Sequence, residues 1–188
     1  MKINALKSKK GFTLVEVIVS LLIVSIILAF ATSFFFVGQK LFSNSIKNSN
    51  NKIVGDNVLS FLSEKLKYAD KIQILNNSSV SSAKYTGIFY MTNNMLGFDK
   101  ASSKNNNIYG ESYYNGNRLR VTVTVLDKTS MNISVSVISS SLTEVLYSTN
   151  NVIKILNLNL TSSEIEIDSS LINKPLINPI ISFSSKAV

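Results

Sequence analysis

The chain has no cysteine and no histidine among its 188 residues. Ser-His-Asp and Cys-His catalysis, thiolate redox chemistry and the usual His or Cys metal sites are therefore excluded. No disulfide can stabilise the fold, so any globular part depends on packing and on backbone hydrogen bonds. The seven glycines are scattered and form no phosphate-binding loop. These absences predict a protein that is not an enzyme and that binds no metal and no cofactor.

Charged residues are also few, at 16% of the chain. The formal net charge is +8, but Lys2, Lys7, Lys9 and Lys10 lie within the first eleven residues, and their removal would halve that charge. A moderate positive charge spread over many segments suits a soluble surface as well as it suits nucleic acid. The charge alone therefore does not favour nucleic-acid binding.

One long apolar run, Phe12 to Val37, contains a single charged residue, Glu16. No residue from Val17 to Val37 is charged, and a helix of that length, at about 1.5 Å per residue, spans the roughly 30 Å hydrocarbon layer of a bilayer. A helix is also the conformation that satisfies the backbone polar groups in lipid. We predict a transmembrane helix over residues 12–40. The lysines before it favour an N-terminus in the cytoplasm, although Lys40, Lys47 and Lys52 follow it and leave the bias at four lysines to three.

Three interpretations of this run compete. A cleaved secretory signal has an apolar core of about 7 to 15 residues and a small-residue cleavage site, whereas this run is longer and ends in Phe34-Phe35-Phe36. A plain membrane anchor leaves the acidic Glu16 unexplained, because ionised side chains are costly within a membrane. Cleavage between Gly11 and Phe12 would instead create an α-amino group four residues from Glu16. That amine and the carboxylate, paired within one chain or between neighbouring helices, would fix the stagger of otherwise uniform apolar helices.

The start of the run resembles the processing motif of one protein family. The residues Lys9-Lys10-Gly11-Phe12-Thr13-Leu14-Val15-Glu16, followed by the apolar run, closely resemble the N-terminal motif of type IV pilins and pseudopilins. The resemblance implies cleavage after Gly11 by a prepilin peptidase, N-methylation of Phe12 and a role for Glu16 in assembly. It makes Lys9 and Lys10 the basic residues of the leader.

The resemblance also implies a fold class, α+β, in which a long N-terminal helix packs on an antiparallel β-sheet head. It divides the chain into a leader (1–11), a transmembrane and filament-core helix (12–40) and an extracellular head (41–188). The expected partners are other pilin subunits, the peptidase, the membrane assembly platform and, before assembly, lipid. Within this family the expectation is a minor pilin of a type IV pilus, with cell adhesion among the roles of such filaments. The alternatives are a pseudopilin of a type II secretion or DNA-uptake machine, and a membrane-anchored surface-binding protein that never polymerises.

In the head, apolar residues at three- and four-residue steps predict an amphipathic helix over about 51–75. Its apolar face comprises Val54, Val58, Phe61 or Leu62, Leu66, Ala69 and Ile72. Further along, apolar residues alternate with polar ones, which predicts an antiparallel sheet over about 108–168. The alternating apolar residues are Leu119, Val121, Val123 and Val125, followed by Ile133, Val135 and Val137.

Several strands of the head are predicted individually. Asn115-Gly116 is a type I′ turn signal that would join a strand over Tyr109–Tyr114 to the next. The other predicted strands are Tyr85–Met91 at an edge, Leu142–Tyr147, Val152–Leu160 after an Asn150-Asn151 break, and Glu164–Ile167. Pro175 and Pro179 predict a tail that lies over the sheet and does not join its centre.

Two side-chain groups in the head have a chemical interpretation. Glu164, Glu166 and Asp168 alternate along one strand and could hold Ca²⁺, but calcium sites gather six or more oxygens from a shaped loop, so a solvated strand face is the simpler interpretation. Arginines, lysines and tyrosines could together contact nucleic acid, although a half-exposed sheet gives the same pattern. This second group comprises Lys100, Lys104, Tyr109, Tyr113, Tyr114, Arg118 and Arg120.

Overall fold

The computed structural model describes residues 11–75, 85–100, 108–141, 143–158 and 164–185. Among them is one long helix, α1 (Leu14–Lys67), followed by nine strands. The strands are β1 (Lys71–Leu75), β2 (Gly87–Thr92), β3 (Met95–Lys100), β4 (Arg118–Val125), β5 (Ser130–Ile138), β6 (Val145–Lys154), β7 (Ile165–Glu166), β8 (Leu176–Ile177) and β9 (Ile180–Ser184). The chain divides into an N-terminal unit, residues 1–46, and a head, residues 47–188. Each unit is described by itself.

The described part of the N-terminal unit is almost entirely helical, and all of its residues are exposed. By length and composition α1 is long and apolar enough to cross a membrane. Three hydroxyl groups in its apolar run, those of Ser25, Thr32 and Ser33, donate to carbonyls of the same helix, at 2.7 Å from Ser25 Oγ to Leu22 O and at 2.9 Å from Ser33 Oγ to Ala29 O. These bonds satisfy the hydroxyls internally and so reduce the cost of placing them in an apolar layer.

The head begins with the second part of α1, which buries one face. The buried residues are Asn51, Val54, Gly55, Val58, Leu59, Leu62 and Leu66, so the predicted apolar face is confirmed over this range. The predicted end of the helix near residue 75 is wrong, because α1 ends at Lys67 and Lys71–Leu75 forms β1. Ile72 and Ile74 are both buried, a spacing of two that is typical of a strand. Ile72 also continues the three- and four-residue steps of the predicted helix, which is why the predicted helix extends too far.

Two sheets complete the head. One has the strand order β3-β2-β9-β1-β7 and the other β6-β5-β4-β8. Neighbouring strands are antiparallel except for β1 and β7, which are parallel. The prediction of an α+β, pilin-like architecture with a largely antiparallel head is therefore confirmed. The predicted range of 108–168 for the sheet is too narrow, because β1 to β3, β8 and β9 lie outside it.

One predicted strand, Tyr109–Tyr114, and one predicted break, Asn150-Asn151, differ from the structure. Residues Glu111–Tyr114 form a 3₁₀ helix and not a strand. Asn115-Gly116 does make a left-handed turn after it, with φ of 49° and 75°. Asn150-Asn151, predicted as a break, lies inside the continuous strand β6, where the two residues pair with Ser134 and Ile133 of β5. An Asn-Asn pair tolerates left-handed geometry without requiring it, so the ladder decides its conformation.

Two strands, β2 and β9, lie at positions in the sheet that differ from those predicted. Strand β2 lies between β3 and β9 and is not an edge strand. The tail does join the centre of a sheet, because β9 lies between β2 and β1. Pro175 and Pro179 directly precede β8 and β9, where a missing N–H removes no bond of the ladder. Of the other predicted strands, Glu164–Ile167 shortens to β7, and Leu142 and residues 159–160 lie outside the described residues.

The buried residues of α1 and of both sheets form one hydrophobic cluster. Inward-facing residues of β4 and β5 supply much of it, including Val123, Ile133 and Val135, which are fully buried. On the other sheet, Phe89 and Phe98 lie edge-on to Phe61 of α1, with ring centroids 5.8 and 6.0 Å from it. Within the head, α1 therefore supplies core contacts to both sheets.

Gly55 of α1 lies against strand β6, and this close approach gives a first prediction. A Cβ on Gly55 would lie 2.8 Å from Tyr147 Cδ1, and the Tyr147 hydroxyl donates to Asp56 Oδ1 at 2.8 Å. Gly→Ala normally stabilises a helix interior by roughly 1 kcal/mol, yet here the new methyl must displace the tyrosine ring. We expect Gly55→Ala to lower the free energy of unfolding of the full chain in detergent, measured by chemical denaturation.

A double-mutant cycle identifies the cause. In a Tyr147→Ala background the methyl group has space, so Gly55→Ala should then stabilise the protein by about 1 kcal/mol. Stabilisation by Gly55→Ala in the otherwise unchanged chain would show that the tyrosine moves aside at no cost.

Candidate functional site at the start of helix α1

Thr13 and Glu16 close the N-terminus of α1. The Thr13 backbone N–H and the Thr13 Oγ1 hydroxyl each donate to Glu16 Oε2 at 3.0 Å. In return, the Glu16 backbone N–H donates to Thr13 Oγ1 at 3.3 Å. Because α1 begins at Leu14, Thr13 is the N-cap residue and Glu16 is the third helical residue, which makes the pair a reciprocal capping box.

The sequence interpretation of Glu16 did not include Thr13. The spacing Thr-x-x-Glu directly before an apolar run is a recognised helix-start signal, so the sequence itself could have revealed this partner. Glu16 also lies in the first turn of α1, where the helix dipole favours a negative charge. The start of the helix is thus defined by the same carboxylate for which sequence analysis predicts a role in assembly.

The peptide bond predicted to be cleaved lies just before this cap. Gly11, Phe12 and Thr13 are not helical, and all three are exposed. A Cβ added to Gly11 would meet no atom within 4 Å, and the Phe12 side chain is 86% exposed. The Gly11–Phe12 bond therefore lies in accessible, non-helical chain, as a protease requires. Lys9 and Lys10 lie outside the described residues.

The spacing of Phe12 and Glu16 bears on the predicted charge pair. The Phe12 nitrogen precedes by one residue the Thr13 N–H that already bonds to Glu16. An ammonium group created there by cleavage would lie in the same short stretch as the carboxylate. The geometry is compatible with charge pairing inside one chain, and the exposure of Glu16 also leaves it accessible to the amine of a neighbouring chain.

The side chains that follow this site are apolar and exposed along the helix. They include Leu14, Val15, Leu21, Leu22, Ile27 and Phe30. A continuous exposed apolar surface of this kind indicates contact with lipid or with other protein. The site thus combines an accessible bond, a capped helix start and an apolar surface that is exposed among the residues that the structure describes.

The acidic side chains on and near β7 do not meet at one site. Glu164 Oε1 accepts from Lys128 Nζ at 2.6 Å, and Glu166 Oε2 accepts from the Tyr85 hydroxyl at 3.2 Å. Asp168 accepts from the backbone N–H of Ser170 at 2.9 Å, which holds the pKa of that carboxyl below its usual range. Within the described residues no group of three or more acidic side chains could hold a metal ion. The calcium interpretation gains no support.

The basic and aromatic group is brought together only in part. Tyr109 and Tyr113 stack on each other, with ring centroids 4.1 Å apart. Tyr114 is buried, which raises its pKa to about 12. Arg118 Nη1 donates to the backbone oxygen of Asn93 at 3.2 Å. Lys104 lies outside the described residues. Among the described residues of this group there is no row of free aromatic rings for stacking bases.

Comparison with known families assigns the N-terminal segment. Residues 6–32 match a family model described as the prokaryotic N-terminal methylation motif, which is characteristic of type IV pilin and prepilin-like proteins. The matched range contains Gly11, Phe12 and the capping box, and it ends before the head begins. No curated protein and no solved structure matches this chain.

Proposed function

We propose that this chain is a structural subunit of a type IV pilus, and specifically a minor pilin. The observation that carries the proposal is the methylation motif over residues 6–32, joined to an exposed Gly11–Phe12 bond and a capped apolar helix. In this function a prepilin peptidase removes residues 1–11, and the new N-terminal Phe12 is methylated. The subunit stays anchored in the membrane with its head outside until the assembly platform transfers it to the filament.

The driving force for assembly would come from the exposed side chains of α1. Moving one Leu, Ile or Phe side chain from water into an apolar interior is favourable by roughly 1.5 to 3 kcal/mol. In lipid the gain comes from packing between helices, which is smaller per side chain but repeated along the helix. Such packing is uniform along its length and does not fix the axial position of one helix against another. The Phe12 ammonium and the Glu16 carboxylate would supply that register, because an unpaired charge in the apolar filament core is strongly unfavourable.

The mature N-terminus is the first test of this function. We expect mass spectrometry of the protein from cell envelopes to find a chain that begins at Phe12 and carries a methyl group on its α-nitrogen. Gly11→Val should block leader removal, because a β-branched side chain then stands next to the bond to be cut. Gly38→Ala is the matched control, since an added Cβ there also meets no atom within 4 Å, and it should be processed normally.

The remaining alternatives have separate outcomes. An intact Met1 on the envelope protein would contradict the proposal and would indicate a membrane-anchored surface protein that does not polymerise. A processed protein that is absent from sheared surface fibres would indicate a pseudopilin of a type II secretion or DNA-uptake machine. Recovery from fibres in a small ratio to the other subunits would support the minor pilin.

A further inference from the structure

The turn at Asn115-Gly116 has no part in the proposed function. It is the only Asn-Gly dipeptide of the chain, and both residues are exposed. Their φ angles are 49° and 75°, and the Asn117 N–H donates to Tyr114 O at 2.8 Å across the turn. These features define a type I′ turn, which lies on the surface of the head just before β4.

Asparagine followed by glycine is open to a reaction between its side chain and the main chain. The backbone nitrogen of the following residue attacks the side-chain Cγ, and its proton leaves with the amide group as ammonia, so that a cyclic succinimide forms. Water then opens the ring at either carbonyl and gives aspartate or isoaspartate, in which the main chain runs through the side chain. Glycine favours the attack because it has no Cβ beside the nitrogen and restricts the backbone least.

The two reacting groups of this turn are accessible but are held apart. Among the described residues, no hydrogen bond involves the Asn115 side chain or the Gly116 N–H, and a Cβ on Gly116 would meet no atom within 4 Å. However, a ψ of 42° at Asn115 places its Cβ and the Gly116 nitrogen on nearly opposite sides of the Cα–C bond. The attack therefore requires the turn to open first, which breaks the bond between Asn117 and Tyr114 and is a local event.

A second left-handed turn gives an internal comparison. Asn93 and Asn94 join β2 to β3 with φ angles of 51° and 57°, but the residue after Asn93 carries a side chain that crowds its nitrogen. Asn44-Ser45 and Asn48-Ser49 lie inside α1, where the attack would require the helix to unwind. We propose that Asn115 is the first of the described asparagines to deamidate, at a rate set by the opening of its turn.

The two products differ in their effect on the head. Asn117 Nδ2 donates to Oδ1 of the buried Asn51 of α1 at 2.8 Å, so the turn positions a contact with the helix. Aspartate suits a type I′ turn as asparagine does, whereas isoaspartate lengthens the main chain and changes the geometry between Tyr114 and Asn117. We expect the isoaspartate form to lose the contact with Asn51 and to unfold at a lower temperature.

Peptide mass spectrometry of the full chain, incubated in detergent at mildly alkaline pH, tests the proposal. Asn115 should show the mass change of an amide converted to an acid before Asn44, Asn48 or Asn93 does. Unfolding the chain in urea should accelerate the reaction at Asn115 by about tenfold or more, because the folded turn reacts only while it is open.

Two reciprocal variants test the role of the glycine. Gly116→Asn gives this turn the sequence of the other turn, and asparagine tolerates a left-handed conformation. Modification of Asn115 should then fall to the level seen at Asn93. Asn94→Gly places a glycine after Asn93 and should make Asn93 react as well.

Asn115→Asp is the matched control for the effect on the head. It introduces the negative charge without lengthening the main chain, so its thermal unfolding should match that of the unmodified protein. The isoaspartate form, separated from the unmodified protein by ion exchange, should unfold at a lower temperature than Asn115→Asp.

Four results would overturn the proposal. The first two are earlier modification of another described asparagine and equal rates at Asn115 in the folded and unfolded chain. The third is a Gly116→Asn chain that reacts as fast as the unchanged one. The fourth, equal unfolding temperatures of the isoaspartate form and Asn115→Asp, would contradict the loss of the contact with α1. None of these measurements depends on leader removal or on filament assembly.

Discussion

Replacing Glu16 with alanine should leave removal of the leader intact and should reduce incorporation into fibres by about tenfold or more, since an unpaired charge in an apolar assembly is strongly unfavourable. The variant loses the acceptor of the two Thr13 bonds at 3.0 Å and the proposed partner of the Phe12 amine. Cleavage should persist because the Gly11–Phe12 bond lies before the helix and is exposed. The measurement compares the protein in sheared fibres with the total processed protein in the envelope.

Two further variants separate the capping role of Glu16 from its charge. Glutamine can fill the same position of a capping box, so Glu16→Gln keeps the helix start and removes only the charge. If charge sets the register, Glu16→Gln should fail to assemble as Glu16→Ala does. Thr13→Ala removes the cap and keeps the carboxylate, so it should retain more assembly than either. Normal incorporation of Glu16→Gln would contradict the register argument and leave helix capping as the function of this residue.

The parts of this molecule that follow from local patterns could be predicted from the sequence. The apolar helix and the acidic residue at its start depend on the composition and spacing of neighbouring residues. The alternation of Leu119, Val121 and Val123 likewise placed β4. The end of α1 could not be placed in the same way, because Ala69 and Ile72 continue the helical spacing even though the chain has already turned into β1.

Contacts between distant segments account for most of the remaining differences. Strand β9 enters the sheet between β1 and β2, and Ser182 faces Gln73 and Ile88, about a hundred residues earlier. The spacing of apolar residues along the chain does not indicate which distant strands pair, since the free energy of pairing comes from cross-strand contacts. The acidic residues near β7 were recognised as candidates, but their partners Lys128 and Tyr85 are also remote in sequence.

The aromatic cluster around Phe89 gives the largest expected effect on stability. Phe89 is 1% exposed and packs on Phe183 and Phe98, with ring centroids 5.2 and 5.0 Å away. Phe61 of α1 meets its edge at 5.8 Å. Truncating a buried phenylalanine to alanine costs about 3 to 5 kcal/mol. We expect Phe89→Ala to lower the free energy of unfolding by that amount, measured by urea denaturation of the full chain in detergent.

Such a loss is a large part of the stability of an ordinary domain, about 5 to 15 kcal/mol, and this head has no disulfide to limit unfolding. Ile53→Ala is the control, because Ile53 lies on α1 but is 51% exposed and should change stability by no more than about 0.5 kcal/mol. Equal effects of the two substitutions would show that the cluster is not part of the stabilising core. Leader removal should be unchanged in Phe89→Ala, since Gly11 and Phe12 belong to the other unit. A processed subunit with a destabilised head would then test whether assembly depends on the stability of the head.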